Sequence, residues 1–374
     1  MSETLLIVAD SERDANMLYA TGLFVPDPFI YLNFGGRPLL VMSDLEIDRA
    51  RAQAPHCRVA SLSACQKKLQ RGGVKSPRFA HVIQQIFLEK KIRRAVVPDN
   101  FPFGLAKELK KLGVKLKPLT GVFPKREIKS ADEVRKISAA LTMAEVGMAE
   151  GMEVLRRSKI GRNRKLIYHG FPLTSEKLRS VIDCAVLQAC GLAANTIVAG
   201  GRQASDPHER GHGLLRANEP IIIDIFPRSQ KTGFFGDITR TVVRGRASEA
   251  VKKLYDTVWR GQKIAFQKIR AGTPTAAVHK AVMEFFGQQG YKTSRRDGHM
   301  EGFFHGTGHG LGLDIHEAPR LGATSTGVLK TGHVVTIEPG LYYPEIGGVR
   351  LEDVALVTGS GAKNLTRFEK VLEI

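Results

Sequence analysis

The sequence predicts an α/β unit over about residues 1–126, followed by a larger unit of helices and Gly-rich strands over 127–374. Three observations carry this. Short apolar runs alternate with helical patterns in the first part, which is the signature of strands and helices packed as layers. A Ser-x-x-Glu helix start at Ser130 and Glu133, after "GVFPKREIK", marks a boundary. Beyond His305 the chain turns into Gly-rich strand and turn segments such as "HVVTIEPGLYY" and "GGVRLEDVALVT".

In the first unit "TLLIVAD", "FIYLNF", "PLLVMSD" and "RAVVPDN" read as strands of a largely parallel sheet, with "EIDRARAQA" and "PRFAHVIQQIFLEKK" as helices between them. No Gly-rich phosphate loop follows any of these strands. The helix opened by Ser130 carries a stripe at Val134, Ile137, Leu141, Ala144, Met148, Met152 and Leu155, the spacing of one buried face. Further helices are expected at about 175–190, 248–270 and 274–288. Cys184 and Cys190 read as small packing residues in the first of these, and Trp259 as a packing residue in the second.

Composition restricts the class. With 43% hydrophobic and 25% charged residues the chain has the make-up of a globular protein. The N-terminus lacks the basic and apolar regions of a signal peptide, no run is long and apolar enough for a membrane helix, and four scattered cysteines suit reduced thiols, so a cytoplasmic location is expected. The formal charge of +19 divides into +9 through residue 125 and +10 beyond. Its basic runs are poor in aromatics, so a solvated surface is expected and a nucleic-acid partner is not.

The stretch "HGTGHGLGLDIHEAP" places His305, His309 and His316 within twelve residues, with glycines between them. Each Gly costs about 1 kcal/mol against Ala in a helix interior, and Gly also weakens a strand. The pattern reads as backbone brought close to something, with imidazoles aimed at it. His299 and His333 lie outside any motif and are expected at surface or loop positions.

The answering groups are carboxylates. Asp224 follows three isoleucines, Asp237 precedes a β-branched run, Glu338 follows "VVTI" and Glu352 follows "GGVRL". An ionised acid beside a buried strand is costly unless paired or bound to a cation. Four carboxylates carry a charge that two divalent cations would neutralise, leaving His309 as a neutral ligand. Oxygen ligands with one nitrogen suit Mn²⁺, Co²⁺, Fe²⁺ or Zn²⁺. Two such ions roughly 3.5–4 Å apart can share and activate a water, which is hydrolytic chemistry.

At these residues the chain resembles the family of methionine aminopeptidases, Xaa-Pro aminopeptidases, prolidases and creatinase, whose catalytic domain has the α+β pita-bread fold. The matches are Asp224, Asp237 in "GDITRT", His309 in "GTGHGLG", Glu338 in "IEPGLY" and Glu352 in "VRLEDV". The resemblance covers about residues 127–374, and by pattern alone the creatinase-like α/β domain before it. It implies two divalent metal ions, Mn²⁺ first with Co²⁺, Zn²⁺ or Fe²⁺ as alternatives, held by those five residues. Asp237 and Glu352 would bridge the ions, and Glu338 would also shuttle the proton of a bridging hydroxide. His316, in "DIHE", would donate to the substrate carbonyl, and His305 would line the cleft. His208 matches a substrate-facing histidine, with His212 as its competitor. Arg350 is expected to anchor Glu352 or its neighbours.

Two departures stand out. The aspartates are thirteen residues apart, a two-residue step longer than in familiar members. If they sit on paired strands, that step preserves the facing of both side chains. The second departure is Phe226, where the family usually has Gly.

The wording of the histidine stretch and the N-terminal domain imply an exopeptidase that cuts Xaa-Pro near the N-terminus of a short peptide, and a homodimer. Two rival readings are a hydrolase of another small C–N bond on the same scaffold, and a catalytically silent binding protein.

Overall fold

The computed structural model describes residues 3–374, which split into two compact units, one through Pro124 and one from Lys125 to Ile374. In the first unit six strands form one sheet: β1 (Leu5–Ala9), β2 (Phe29–Asn33), β3 (Leu39–Met42), β4 (Arg58–Ser61), β5 (Arg94–Pro98) and β6 (Lys115–Leu119). Their order is β4-β3-β2-β1-β5-β6.

The sheet is mixed, which corrects the largely parallel expectation. Strands β1–β5, β3–β4 and β5–β6 pair parallel, whereas β1–β2 and β2–β3 pair antiparallel. The short "FGGRP" link between β2 and β3 cannot span a crossover, so those strands must turn back on one another.

Strand alternation explains the core. Leu6, Val8, Ile30 and Leu32 face one side, against Ala80, Ile83 and Phe87 of α4 (Phe79–Glu89). Ile7, Phe29 and Tyr31 face the other, against Met17 of α1 (Ala15–Thr21) and Ala50 of α2 (Ile47–Gln53). Helices α1, α3 (Leu62–Arg71) and α5 (Phe103–Lys111) are absent from the sequence reading. They are short, at seven, ten and nine residues, and α3 has no fully buried residue.

The second unit begins with α6 (Ala131–Arg157). Ser130 accepts from the Glu133 amide and Glu133 accepts from the Ser130 amide, the reciprocal cap that the sequence implies. Ile137, Leu141, Ala144, Met148, Met152 and Leu155 are all buried, as their spacing requires. Helices α7 (Ser175–Gln188), α8 (Glu249–Lys268) and α9 (Thr275–Gln288) stand close to their expected positions. Cys184 and Cys190, however, are exposed, and Trp259 faces outward with Lys263 over its ring. His333 is buried rather than at the surface, because its Nδ1 accepts from the Lys330 amide and draws the ring inward.

Two antiparallel sheets carry the motifs. The first joins β7 (Ile197–Gly200), β8 (Ile221–Ile225) and β9 (Ile238–Val242) in that order. The second runs β11-β10-β12-β15-β16, from β10 (Gly308–Gly310), β11 (Glu317–Leu321), β12 (Val334–Ile337), β15 (Asp353–Val357) and β16 (Ala362–Asn364). A separate hairpin pairs β13 (Gly340–Tyr343) with β14 (Gly347–Arg350). Among the described residues no helix is long and apolar enough to cross a membrane.

Candidate active site

Each acidic motif stands in, or at the end of, a buried strand. Asp224 lies within β8 and pairs with Thr239 on β9. Asp237 immediately precedes β9, two residues before Thr239, so it shares the face of Asp224. The longer connection is absorbed by a turn in which the Gly233 amide bonds Ser229 and the Ser229 amide bonds Phe234, leaving the strand register intact. Glu338 follows β12, its amide held by the Thr307 carbonyl, and Glu352 precedes β15, its amide held by Thr239.

The histidine stretch forms β10, and its glycines answer to close packing. A Cβ on Gly308 would strike the carbonyl of Thr336, and one on Gly310 the carbonyl of Ala318. The backbones of β10, β11 and β12 can approach this closely only without side chains at those points. Glu317 pins the loop that carries His316, through ion pairs to Arg126 (2.9 Å) and to the buried Lys129.

These elements bring five side chains together from positions up to 128 residues apart. Ligand atoms of Asp237, His309 and Glu352 lie within 4.8 Å of one another. His309 Nε2 is 3.2 Å from Glu338 Oε1 and 3.8 Å from Asp237 Oδ2. The His309 Nδ1 faces the Gly310 carbonyl at 3.1 Å, and a carbonyl only accepts. Nδ1 therefore carries a proton toward that carbonyl, and Nε2 faces the carboxylates, where a metal ion between them would take its lone pair.

Asp224 donates no proton in this arrangement: its Oδ2 accepts from Arg350 Nη2 at 2.7 Å, while its buried Oδ1 has no partner. Thr239 Oγ1 donates to Glu352 Oε2 at 2.7 Å, and Thr336 Oγ1 to Glu338 Oε1 at 3.2 Å. The threonines thus orient one oxygen of each glutamate.

Without a cation the charges are unbalanced. Burial first, then Glu352, Asp224 and Glu338, push the Asp237 carboxyl well above its ordinary range. Burial, Glu338 and Asp224 do the same to Glu352. Asp224 is raised by burial, against the opposing pull of Arg350. Burial also acts to raise Glu338, but His309, His305 and Arg350 outweigh it and bring it to about 2. An orphaned buried carboxylate oxygen, an imidazole lone pair and carboxyls crowded into one another's fields fit divalent metal ions. Asp224, Asp237, His309, Glu338 and Glu352 would hold them.

The five residues stand at a cavity of about 600 Å³ that is also lined by His208, His305, His316, Arg320 and Phe226. His208 therefore faces the cavity, whereas His212 is placed beside Gln203 and does not line it. His305 Nδ1 faces the Gly306 carbonyl at 2.8 Å, so its Nε2 accepts from the Tyr342 hydroxyl at 2.8 Å. Arg350 Nη1 donates to that hydroxyl at 3.0 Å. The His316 ring stands edge-on to His309, centroids 4.3 Å apart. Burial lowers both His305 and His316 to about 4, aided at His316 by His309 and Arg320, so both rings are neutral near pH 7.

Of the anchors expected for Arg350, Glu352 or one of its neighbours, the structure shows a neighbour, Asp224. Sequence reasoning missed Arg320, Tyr342 and the two threonines. The position of Arg320, four residues after His316, was the available signal; the structure pairs it with His309 across β10 and β11.

Residues 135–359 match metallopeptidase family M24. The chain belongs to this family. A curated relative, an Xaa-Pro dipeptidase of Pyrococcus horikoshii, is 31% identical over 285 residues, covering 75% of each chain. Among solved structures, an Xaa-Pro dipeptidase from Bacillus anthracis superposes with a TM-score of 0.83 at 23% identity, covering 100% of this chain and 95% of its own. An X-Pro aminopeptidase from Thermotoga maritima superposes with 0.82 at 22%, covering 100% and 97%. This M24 chain therefore has the pita-bread fold behind an α/β N-terminal domain, and it is a metallo-exopeptidase.

Proposed function

We propose that this M24 chain hydrolyses the Xaa-Pro bond of short peptides in a metal-dependent reaction, with Xaa-Pro dipeptides among its substrates. The observation that carries the reading is the convergence of Asp224, Asp237, His309, Glu338 and Glu352 at the wall of one cavity, with an unpartnered oxygen on Asp224. The relatedness to the Xaa-Pro dipeptidase of Pyrococcus horikoshii supports the substrate class. An oxygen-rich set with one imidazole suits Mn²⁺ first, then Co²⁺, Fe²⁺ or Zn²⁺.

When bound, the ions would supply a water activated for attack and a Lewis acid for the scissile carbonyl. The remaining work falls to the chain. Glu338 lies against His309 Nε2 and is held ionised against its burial, with Arg350 as the fixed charge nearby, so it can take the proton of the attacking water. Hydrolysis of an Xaa-Pro amide releases the proline nitrogen as an amine, which needs a proton, and Glu338 is placed to return it. Neutral His316 can donate to the carbonyl oxygen as negative charge develops there, with His208 on the same cavity wall. Tyr342 and Arg350 hold His305 in one tautomer at the cavity edge.

Arg320 lines the cavity and is exposed. Its guanidinium could donate to the free proline carboxylate of an Xaa-Pro dipeptide, which would favour dipeptides over longer peptides.

The test is hydrolysis of Xaa-Pro dipeptides, Xaa-Pro-Yaa tripeptides and proline-free controls by metal-stripped protein to which Mn²⁺, Co²⁺ or Zn²⁺ is returned. Metal-restored cleavage before proline, lost in Glu338→Ala, is expected. Bound metal without any Xaa-Pro cleavage would transfer the assignment to another C–N substrate.

A further inference from the structure

Arg240 is the largest fully buried side chain among the described residues. It stands on β9 between Thr239 and Thr241 and points away from the cavity, since strand neighbours alternate. Five hydrogen bonds saturate its guanidinium. Nη1 donates to the carbonyls of Thr239 (2.9 Å) and Glu352 (2.6 Å). Nη2 donates to Asp353 Oδ1 (3.0 Å) and the Phe368 carbonyl (2.7 Å), and Nε to the Glu369 carbonyl (2.9 Å). A guanidinium has five N–H donors in a fixed fork, so each donor has an acceptor.

Those acceptors join three pieces of chain. One is β9, which follows Asp237 and carries Thr239. The second is the Glu352–Asp353 start of β15. The third is segment 365–374, an irregular stretch that lies against β9 and β15. The same segment is tied down by Lys370 on Asp353, by the Leu365 amide on the Val354 carbonyl (2.8 Å), and by the Ile374 amide on the Val243 carbonyl (3.0 Å). The Val243 amide returns a bond to the Leu372 carbonyl (2.6 Å).

Glu352 is consequently held from every side. Its amide bonds the Thr239 carbonyl, its carboxylate accepts from Thr239, and its carbonyl accepts from Arg240. Asp237 is two residues before Thr239, at the entry to the same strand. We infer that Arg240 is a positioning residue that sets the spacing of Asp237 and Glu352, and that segment 365–374 is its anchor. Docking of that segment and filling of the metal centre then reinforce each other.

This inference rests on the five-residue metal centre but not on proline as substrate, so it can fail while the peptidase assignment stands. By linkage, a metal that tightens the Asp237–Glu352 pair must also tighten the segment that anchors it.

The experiment is hydrogen exchange of the full chain, metal-stripped and after addition of Mn²⁺, read at the amides of Val243, Leu365 and Ile374. Helical amides of α7 serve as the reference for general stabilisation. Slowing at the three amides at least tenfold beyond that of α7 is expected. In Arg240→Lys, which keeps the charge but loses the fork, Mn²⁺ affinity by calorimetry should fall about 10- to 100-fold, as for other groups that orient metal ligands. The three amides should then lose their extra protection. Equal slowing in α7 and in the segment would overturn the inference even if Arg240→Lys does not fold. So would wild-type Mn²⁺ affinity in a folded Arg240→Lys.

Discussion

Arg350 Nη2 donates a 2.7 Å hydrogen bond to Asp224 Oδ2, and Oδ1 of the same carboxylate has no partner. The division leaves one oxygen tied to a fixed cation and the other, on a residue of the cavity wall, without a partner. Both residues are buried, so the pair cannot be replaced by water. Breaking a buried pair by removing one partner costs about 3–5 kcal/mol. In Arg350→Met the loss should be concentrated in the metal-free protein, because bound cations would replace the missing charge. Thermal unfolding with and without Mn²⁺ should show a wider gap in the variant than in the wild type. An equal loss in both states would speak against this division of labour.

Metal uptake should release protons. In the metal-free protein the carboxyls of Asp237 and Glu352 are pushed well above the ordinary range of about 4 by burial and by the neighbouring carboxylates, Asp224 and Glu338 among them. Their folded pKa exceeds the unfolded one, so the stability they contribute is fully present below about pH 4 and is lost as pH rises through the raised values. Cations displace these protons. Apparent Mn²⁺ affinity should therefore rise with pH, and calorimetry in buffers of different ionisation enthalpy should report protons released near pH 6. Binding with no proton release there would contradict these carboxyl states.

His316 is assigned to the developing charge on the carbonyl oxygen. Removing one such donor costs roughly 10²–10³ in kcat. His316→Ala should show that loss with unchanged Mn²⁺ stoichiometry. A rise in KM alone, at normal kcat, would make His316 a binding residue.

Arg320 should separate substrates by length. A hydrogen bond to a charged group is worth about 1.5–3 kcal/mol, equivalent to about 10- to 100-fold in KM. Arg320→Met should raise KM for Xaa-Pro dipeptides by that factor and leave Xaa-Pro-Yaa tripeptides nearly unchanged. Equal effects on both would remove the carboxylate contact from the scheme.

Gly308→Ala tests the close approach of β10 to β12. The added methyl meets a backbone carbonyl, which cannot swing aside as a flexible side chain can. Overpacking of this kind costs about 1–3 kcal/mol. The variant should unfold at lower temperature and bind Mn²⁺ more weakly, since His309 is the next residue. Wild-type behaviour in both would show that the strands have room.

Much of this was legible beforehand because it is local. Helix α6 could be placed by its cap and stripe, and the two-residue step between Asp224 and Asp237 could be judged harmless because strand parity survives it. The glycines around His309 signalled close backbone approach before their neighbours were known. Trp259 shows the limit: a helical pattern tells where a helix lies, but its outward face was assigned wrongly because no packed partner can be read locally. His333 erred in the opposite sense, buried by a contact with its own turn at Lys330.

The sequence by itself determined the residue types of the site and their order, because carboxylates beside apolar strands and imidazoles among glycines follow from short-range periodicity and chemistry. Tertiary structure alone decided which of them meet. Strand register brought Asp224, His309 and Glu352 to one cavity, chose His208 over His212 for its wall, turned Arg350 toward Asp224 and placed Arg320 beside His316. Those outcomes depend on pairings between segments distant along the chain, and the free energy that selects such a pairing belongs to the packed whole, not to either segment.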